Sequence, residues 1–484
     1  MSTRADVGDR GRASRPAVRS PSALRRLQLA WRFERWLIAA ALAASVAIAV
    51  GTAGEHWQFV FTLAFVLLAA GLYARWPTAG LSVLLVLWIF APFSRRLLDY
   101  VAYSAGPDLL SLAPYLATAV VGLIALQQCR PSARLLTVLA FVWIGFAIGA
   151  PIGLEDPPRL LYGLFAYLSA SLALLIGYAD WSRGGLAIER ILLVLLPVVA
   201  GYGLYQYFAP SLPPWDQLWI EATNFITVGS KETGDFRFFS VLNSPGTLAG
   251  LLTVLLAMMI VARKVTAVRL LASGLALVCV ALIGIRSAWV GLAGALLLVT
   301  LFSGGRTMVR LVVVCVAIAG LFVAVGGSSA GSRISDQASS FESLSQDKSF
   351  RDRLEAVEQY GPQAAAAPLG HGVGSVGAAA RLSTQGSEPA PFEDNGYLLI
   401  LWQVGPLGFL LVVGAAGYAI VHGARATARA RLPDRLALIA PLLAVIVLMA
   451  SGDALYGIVG VVFWYFTGAL LRAAEPRGLP GSSA

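Results

Sequence analysis

Four arginines stand where a permanent positive charge could do chemistry. Arg286 lies in IGIRSAWVG, between two apolar runs with almost no polar loop around it. A guanidinium buried there without a partner costs about 3 kcal/mol or more. It therefore calls for an anion: an acid such as Asp99, Glu221 or Asp453, or a phosphate brought by a substrate. Arg237 opens RFFSVLNSPG just ahead of another apolar run. Its side chain suits either snorkelling to lipid headgroups or gripping a phosphate through two parallel hydrogen bonds. Arg351 and Arg353 belong to SFRDRLEAVEQY, in which Phe350, Leu354 and Val357 share one helical face. They read either as a solvated face or as extra charge around an anion.

The other candidates follow in chain order. PLGHGVGSVG could turn backbone N–H groups toward an anion, although it lacks the Lys-Ser/Thr pair and strand context of a nucleotide loop. His371, inside it, is a base or simply a polar loop residue. Glu393, Asp394 and Asn395 stand where polar sequence meets an apolar run. Asp or Asn suits a helix N-cap there, and a carboxylate near cationic side chains could also take the proton of a hydroxyl nucleophile.

These residues must be positioned by helices in lipid. The chain has 484 residues, 58% hydrophobic and 13% charged, with a mean hydropathy of +0.74, more apolar than a soluble core needs. A spanning helix needs about 20 apolar residues. Such runs begin near Trp36, Trp57, Trp76, Leu109, Leu135, Leu160, Leu186, Gly246, Val268, Ser287, Val309, Gly396, Leu436 and Gly457. The expectation is an all-α, polytopic integral membrane bundle of about 14 (12–14) transmembrane helices. The formal charge of +10 is spread between apolar runs rather than gathered on a soluble face, which argues against a nucleic-acid partner.

Basic loops are retained in the cytoplasm. With the N-terminus inside, most of the 36 Lys and Arg residues fall on the inner side and most of the 26 acids on the outer, so both termini are expected to be cytoplasmic. The organisation predicted is a basic cytoplasmic tail over 1–35, N-terminal spans over 36–208, an outside loop over 209–245 and central spans over 246–326. A large outside loop over 327–395, carrying an amphipathic helix at the outer interface, then leads to C-terminal spans over 396–473 and a cytoplasmic tail over 474–484. Loops this long usually carry function or disorder. Neither holds an Asp-x-Asp motif. Three histidines (His56, His371, His422) and three cysteines (Cys129, Cys279, Cys315) fit no metal centre or disulfide framework, so no metal and no cofactor are expected.

From Arg237 to Gly408 the ordered motifs RFFSVLNSPG, IRSAWVG, a loop with Arg351, PLGHGVG and DNGYLLILWQVGPLG resemble the O-antigen ligase/O-antigen polymerase (Wzy-like) family of membrane glycosyltransferases. The resemblance implies a GT-C-like bundle with two long periplasmic loops in the bacterial cytoplasmic (inner) membrane. It implies metal-independent transfer of sugars from undecaprenyl pyrophosphate, with Arg237 and Arg286 on the pyrophosphate. The implied partners are an undecaprenyl-pyrophosphate oligosaccharide, a growing polysaccharide or lipid acceptor, membrane lipid and a chain-length regulator protein. Ligases of lipid A core usually carry His-Asn where this chain has Asp394-Asn395, which favours a polymerase of O-antigen or exopolysaccharide repeat units over a ligase. The expected roles are Asp394 and Arg286 in catalysis, and Arg237, Arg286, Arg351 and Arg353 on the pyrophosphate. His371, Glu393 and Asn395 are further candidates. A flippase of lipid-linked sugars is the rival of another class. Such proteins show related halves with polar residues at mid-membrane, whereas here the ionisable residues collect at the outer boundary.

Overall fold

The computed structural model describes residues 57–102, 109–223, 226–232, 235–262, 266–300, 348–377, 379–380, 392, 394–432 and 434–475. Regular structure among them is helical: α1 (Trp57–Arg75), α2 (Pro77–Ala102), α3 (Ala113–Gln128), α4 (Ala133–Ile148), α5 (Ala150–Gly153), α6 (Pro157–Ser171), α7 (Ala173–Ser182), α8 (Ala187–Phe208), α9 (Pro214–Thr223), α10 (Pro245–Val261), α11 (Ala267–Ile283), α12 (Arg286–Thr300), α13 (Lys348–Ala366), α14 (Gly396–Arg429), α15 (Arg435–Leu448) and α16 (Gly457–Ala473). Every apolar run predicted within these residues forms a helix, including the short one from Ser287. Those near Trp36 and Val309, the basic tail, Cys315 and Glu393 lie outside the described residues.

Seven segments are long and apolar enough to cross a membrane: Gln58–Arg75, Pro77–Val101, Leu110–Gln128, Ala133–Gly153, Pro157–Ser182, Ala187–Phe208 and Gly396–Arg429. The helices α10, α11, α12, α15 and α16 are shorter but equally apolar. Helices α10 and α16 are buried almost all round, and a helix apolar on every side belongs in the middle of a bundle. Between α7 and α16, Gly177 and Gly468 leave no room for a Cβ against the facing backbone, the close approach that small residues permit in membrane helices.

Caps set the helix starts. Ser132, Asp156, Ser244, Thr266 and Asn395 each accept a hydrogen bond from the backbone N–H three residues on, with Pro157 and Pro245 in the first turn behind two of them. Gly284, left-handed at φ 73°, stops α11. Polar networks close the ends of the bundle. At one end Tyr465 donates to Asp180, which also accepts from the Ala187 N–H at 2.8 Å; Tyr178 and Arg472 donate to Glu475 at 2.7 and 2.6 Å. The candidate residues lie at the other end.

Candidate functional site

The site is organised by a break in α14. Gly405 has φ 69° and ψ 178°, and Pro406 follows it. Proline has no N–H to give the carbonyl four residues back, so the Trp402 carbonyl would be orphaned. The His371 N–H donates to it at 2.8 Å. The same loop continues across the break, with the Gly374 N–H donating to Gln403 Oε1 at 2.8 Å and the Val373 N–H to the Gly149 carbonyl at 3.3 Å. Gly370, also left-handed, passes so close to Gly405 that a Cβ on either would strike the other's backbone. This corrects the sequence reading of PLGHGVG as an anion cradle. The N–H groups of Gly370, His371, Val373, Gly374 and Ser375 are all donated to protein acceptors, and the glycines serve the close approach of loop to helix. His371 stacks on Trp402 at 3.7 Å and 9°, and its Nδ1 is buried without a hydrogen-bond partner.

Helix α13 docks on the first turns of α14. Ala356 and Ala364 are buried with Phe392, Leu398 and Leu399, and Tyr360 packs against Phe392 and Trp402. Leu354 and Val357 are exposed, so the face the sequence singled out is the one turned away from the bundle. Docking brings the Arg353 Nη2 to 3.6 Å from Asp394 Oδ2, too long for a hydrogen bond. The Arg353 Nε is buried with no partner, so this guanidinium keeps unspent donor capacity beside a carboxylate. Asn395 takes the ordinary role, capping α14 by accepting from the Leu398 N–H at 3.1 Å. Arg351 is exposed.

A second carboxylate completes this end. Asp453 lies in the turn between α15 and α16, and Gly396 beside the cap packs on the backbone of Gly452 and Asp453. The Tyr167 hydroxyl donates to Asp453 Oδ2 and accepts from Gln403 Nε2 at 3.2 Å; the Leu455 N–H donates to Asp453 Oδ1 at 3.0 Å. A continuous chain thus runs from the Gly-rich loop through Gln403 and Tyr167 to Asp453. Part of the residue's surface stays accessible, yet its carboxyl is packed round by protein. Burial pushes that carboxyl up to about 6, against the lowering effect of its two hydrogen bonds. A group so placed changes charge near neutral pH, as a general base should. In the sequence Asp453 stands out only as an acid that could neutralise Arg286.

The last two arginines reach the same end from other elements. Thr253 of α10 donates to the Ala288 carbonyl at 3.4 Å, and Gly291 packs on Leu448 at the end of α15. The start of α12, with the half-buried and already engaged Arg286, is therefore on the side of the Asp453 turn. Arg237 is exposed between buried Phe236 and Phe238, its N–H donating to the Val228 carbonyl at 2.7 Å. Its segment is clamped from beneath. Buried Arg96 of α2 donates through Nη2 to the Ser240 carbonyl at 2.7 Å and pairs through Nη1 with Asp216 of α9 at 3.0 Å. Its guanidinium lies over Phe239 at 4.7 Å. Gln206 accepts from the N–H groups of Phe239 and Ser240 at 3.3 and 2.7 Å, and Ser240 is held left-handed at φ 56°. Neither Arg96 nor Asp216 figures among the sequence candidates. Both sit in stretches that read as membrane span and loop, and only burial reveals the pair.

Among the described residues, no group of three His, Cys, Asp or Glu side chains is placed to hold a metal ion. Comparison with known proteins gives one match. Residues 271–413, from α11 to the middle of α14, match the family model described as O-antigen ligase. No curated protein matches the chain.

Proposed function

We propose, from the premise of that family match, that the chain is a membrane glycosyltransferase. It would polymerise polysaccharide repeat units carried on undecaprenyl pyrophosphate, at the periplasmic face of the inner membrane. What supports the reading is that the elements carrying Arg237, Arg286, Arg351 and Arg353 lie at the same end of the bundle as two carboxylates, Asp394 and Asp453. The acceptor hydroxyl oxygen attacks the anomeric carbon as the bond from that carbon to the pyrophosphate oxygen breaks, inverting the centre. The electron pair leaves with the pyrophosphate, and Arg237 and Arg286 neutralise the charge that develops there. Such fixed donors are worth about 2.7–4 kcal/mol each where they have been measured. Arginine supplies this charge without a metal. The hydroxyl proton goes to a carboxylate: Asp394, exposed and held by Arg353, orients the acceptor, and Asp453, ready to change charge near neutral pH, is the better base.

Arg237 gives the cleaner test, because its side chain is exposed. Arg237→Ala should lower turnover of a polyprenyl-pyrophosphate oligosaccharide by about 10²–10³-fold, with partial recovery in Arg237→Lys; undiminished polymer length would remove Arg237 from the mechanism. The description of the matched family favours a second reading, a ligase that moves finished polymer onto lipid A core. Surface glycans of a deletion strain separate the two. A polymerase defect leaves single units attached, and a ligase defect accumulates unattached lipid-linked polymer.

A further inference from the structure

The second half of α14, remote from the site just described, carries a feature that the glycosyltransferase reading does not use. A groove of about 440 Å³ runs along it, lined by Gly417, Tyr418, Val421, His422, Arg425 and Arg429 among others. Its two ends differ in chemistry. Toward the middle of the helix, nothing lies within contact of a Cβ built on Gly414 or Gly417, and Leu410, Tyr418 and Val421 are exposed. Toward the end of the helix come Arg425 and Arg429, with Arg134 of the adjacent α4 close enough for its charge to act on His422. His422 stacks on Tyr418 at 5.6 Å and 15°. No acidic side chain pairs with Arg134, Arg425 or Arg429 among the described residues. From Gly417 to Arg429 the helix rises about 18 Å, the span of a headgroup plus much of an acyl chain.

We propose that this groove binds an anionic glycerophospholipid, its phosphate between Arg425 and Arg429 and one acyl chain lying past Tyr418 toward Gly414. Unneutralised guanidinium groups at one end select an anion, since they grip phosphate bidentately. A free phosphate would use only that end, whereas the open apolar trough continuing from it matches a molecule with a tail. Basic pockets between spanning helices near the membrane surface hold such headgroups for the same reason.

The test is native mass spectrometry of the full chain in a neutral detergent, titrated with phosphatidylglycerol or phosphatidylcholine. The wild type should retain one phosphatidylglycerol at least about tenfold more tightly than phosphatidylcholine. Arg425→Gln with Arg429→Gln should weaken that retention by roughly thirtyfold. Gly417→Leu keeps every charge and grows into open space, and by filling the trough it should also weaken retention, so the test survives if the double variant fails to fold. Equal retention of the two lipids, or retention unchanged in both variants, would overturn the proposal. So would displacement of phosphatidylglycerol by millimolar inorganic phosphate, which would mark a site for the free ion.

Discussion

Two Arg–Asp pairs lie at the same end of this bundle and differ in almost everything except residue type. Arg96 and Asp216 have side chains 1% and 0% exposed, 3.0 Å apart, with Nη2 on a carbonyl, an aromatic face beside the guanidinium and Nε without a hydrogen-bond partner. Arg353 and Asp394 are 34% and 69% exposed and 3.6 Å apart. The first pair is sealed from solvent. It fastens α2, α9 and the segment ahead of α10 to one another, and so fixes where Arg237 emerges. The second is loose and still able to bond a third party. A charge buried within the fold builds a site; one exposed at its edge can act in it.

The largest effect expected follows from breaking the buried pair. Asp216→Ala leaves an uncompensated buried guanidinium, which should lower unfolding stability by about 3–5 kcal/mol, read from denaturant or thermal unfolding in detergent. Replacing both members by apolar residues, Arg96→Met with Asp216→Leu, should recover most of that loss, because a buried ion pair gains little over good packing. Turnover should not recover with it, since the Ser240 carbonyl loses the donor that sets the Arg237 segment. Stability and activity recovering together would show that the clamp positions nothing.

Asp453 falls outside both pairs: its carboxyl is enclosed like the first, but no cation pairs with it among the described residues. Its carboxyl, ordinarily at 3.8, is held up near 6 by burial, so the folded state binds the proton more tightly than the unfolded chain. Its contribution to stability is fully present below about pH 3.8 and is lost as pH rises through about 6. Asp453→Asn should remove that decline, visible as the difference between the two unfolding curves across this window. If Asp453 takes the hydroxyl proton, wild-type activity should rise over the same interval as the carboxylate forms, and the Asn variant should lack the rise. An unchanged pH–rate profile in Asp453→Asn would pass the base role back to Asp394.

Helices and caps were legible because both depend on local chemistry. Apolar length marks a span, and Asn395 ahead of an apolar run marks a start before any packing is known. The break in α14 was half legible. Gly405-Pro406 announces that a carbonyl will be orphaned, but nothing local says that His371 satisfies it from a loop more than thirty residues earlier. A Gly-rich loop is thus open to a ligand-cradle reading in sequence, whereas its N–H groups are spent on the fold. Asp453 and Arg96 were obscured for a related reason. A lone ionisable residue beside an apolar run has the same signature whether it is solvated, paired or catalytic, and its partners Tyr167 and Asp216 are distant in the chain. The amphipathic pattern of α13 marked Leu354 and Val357, yet the docked face is Ala356, Tyr360 and Ala364. Small residues that fit a helix–helix contact carry little hydrophobic signal.

The smallest effect on stability, and the sharpest use of the comparison, comes from the loose pair. Arg353→Ala removes a half-exposed ion pair whose like is worth about 0.2–1 kcal/mol, and the buried Ala356 and Ala364 contacts that dock α13 are untouched. Unfolding should shift by no more than that. Activity should fall further, by roughly tenfold, the worth of one hydrogen bond to a charged group, if the accessible end of the guanidinium meets the substrate. Arg353→Lys restores the charge but not the planar fork. A variant that recovers only a minor part of the rate would assign the effect to bidentate contact, and full recovery would assign it to charge alone. Should Arg353→Ala cost as much stability as Asp216→Ala, the two pairs would be alike, and the division between charges that build the site and charges that work in it would fail at its clearest example.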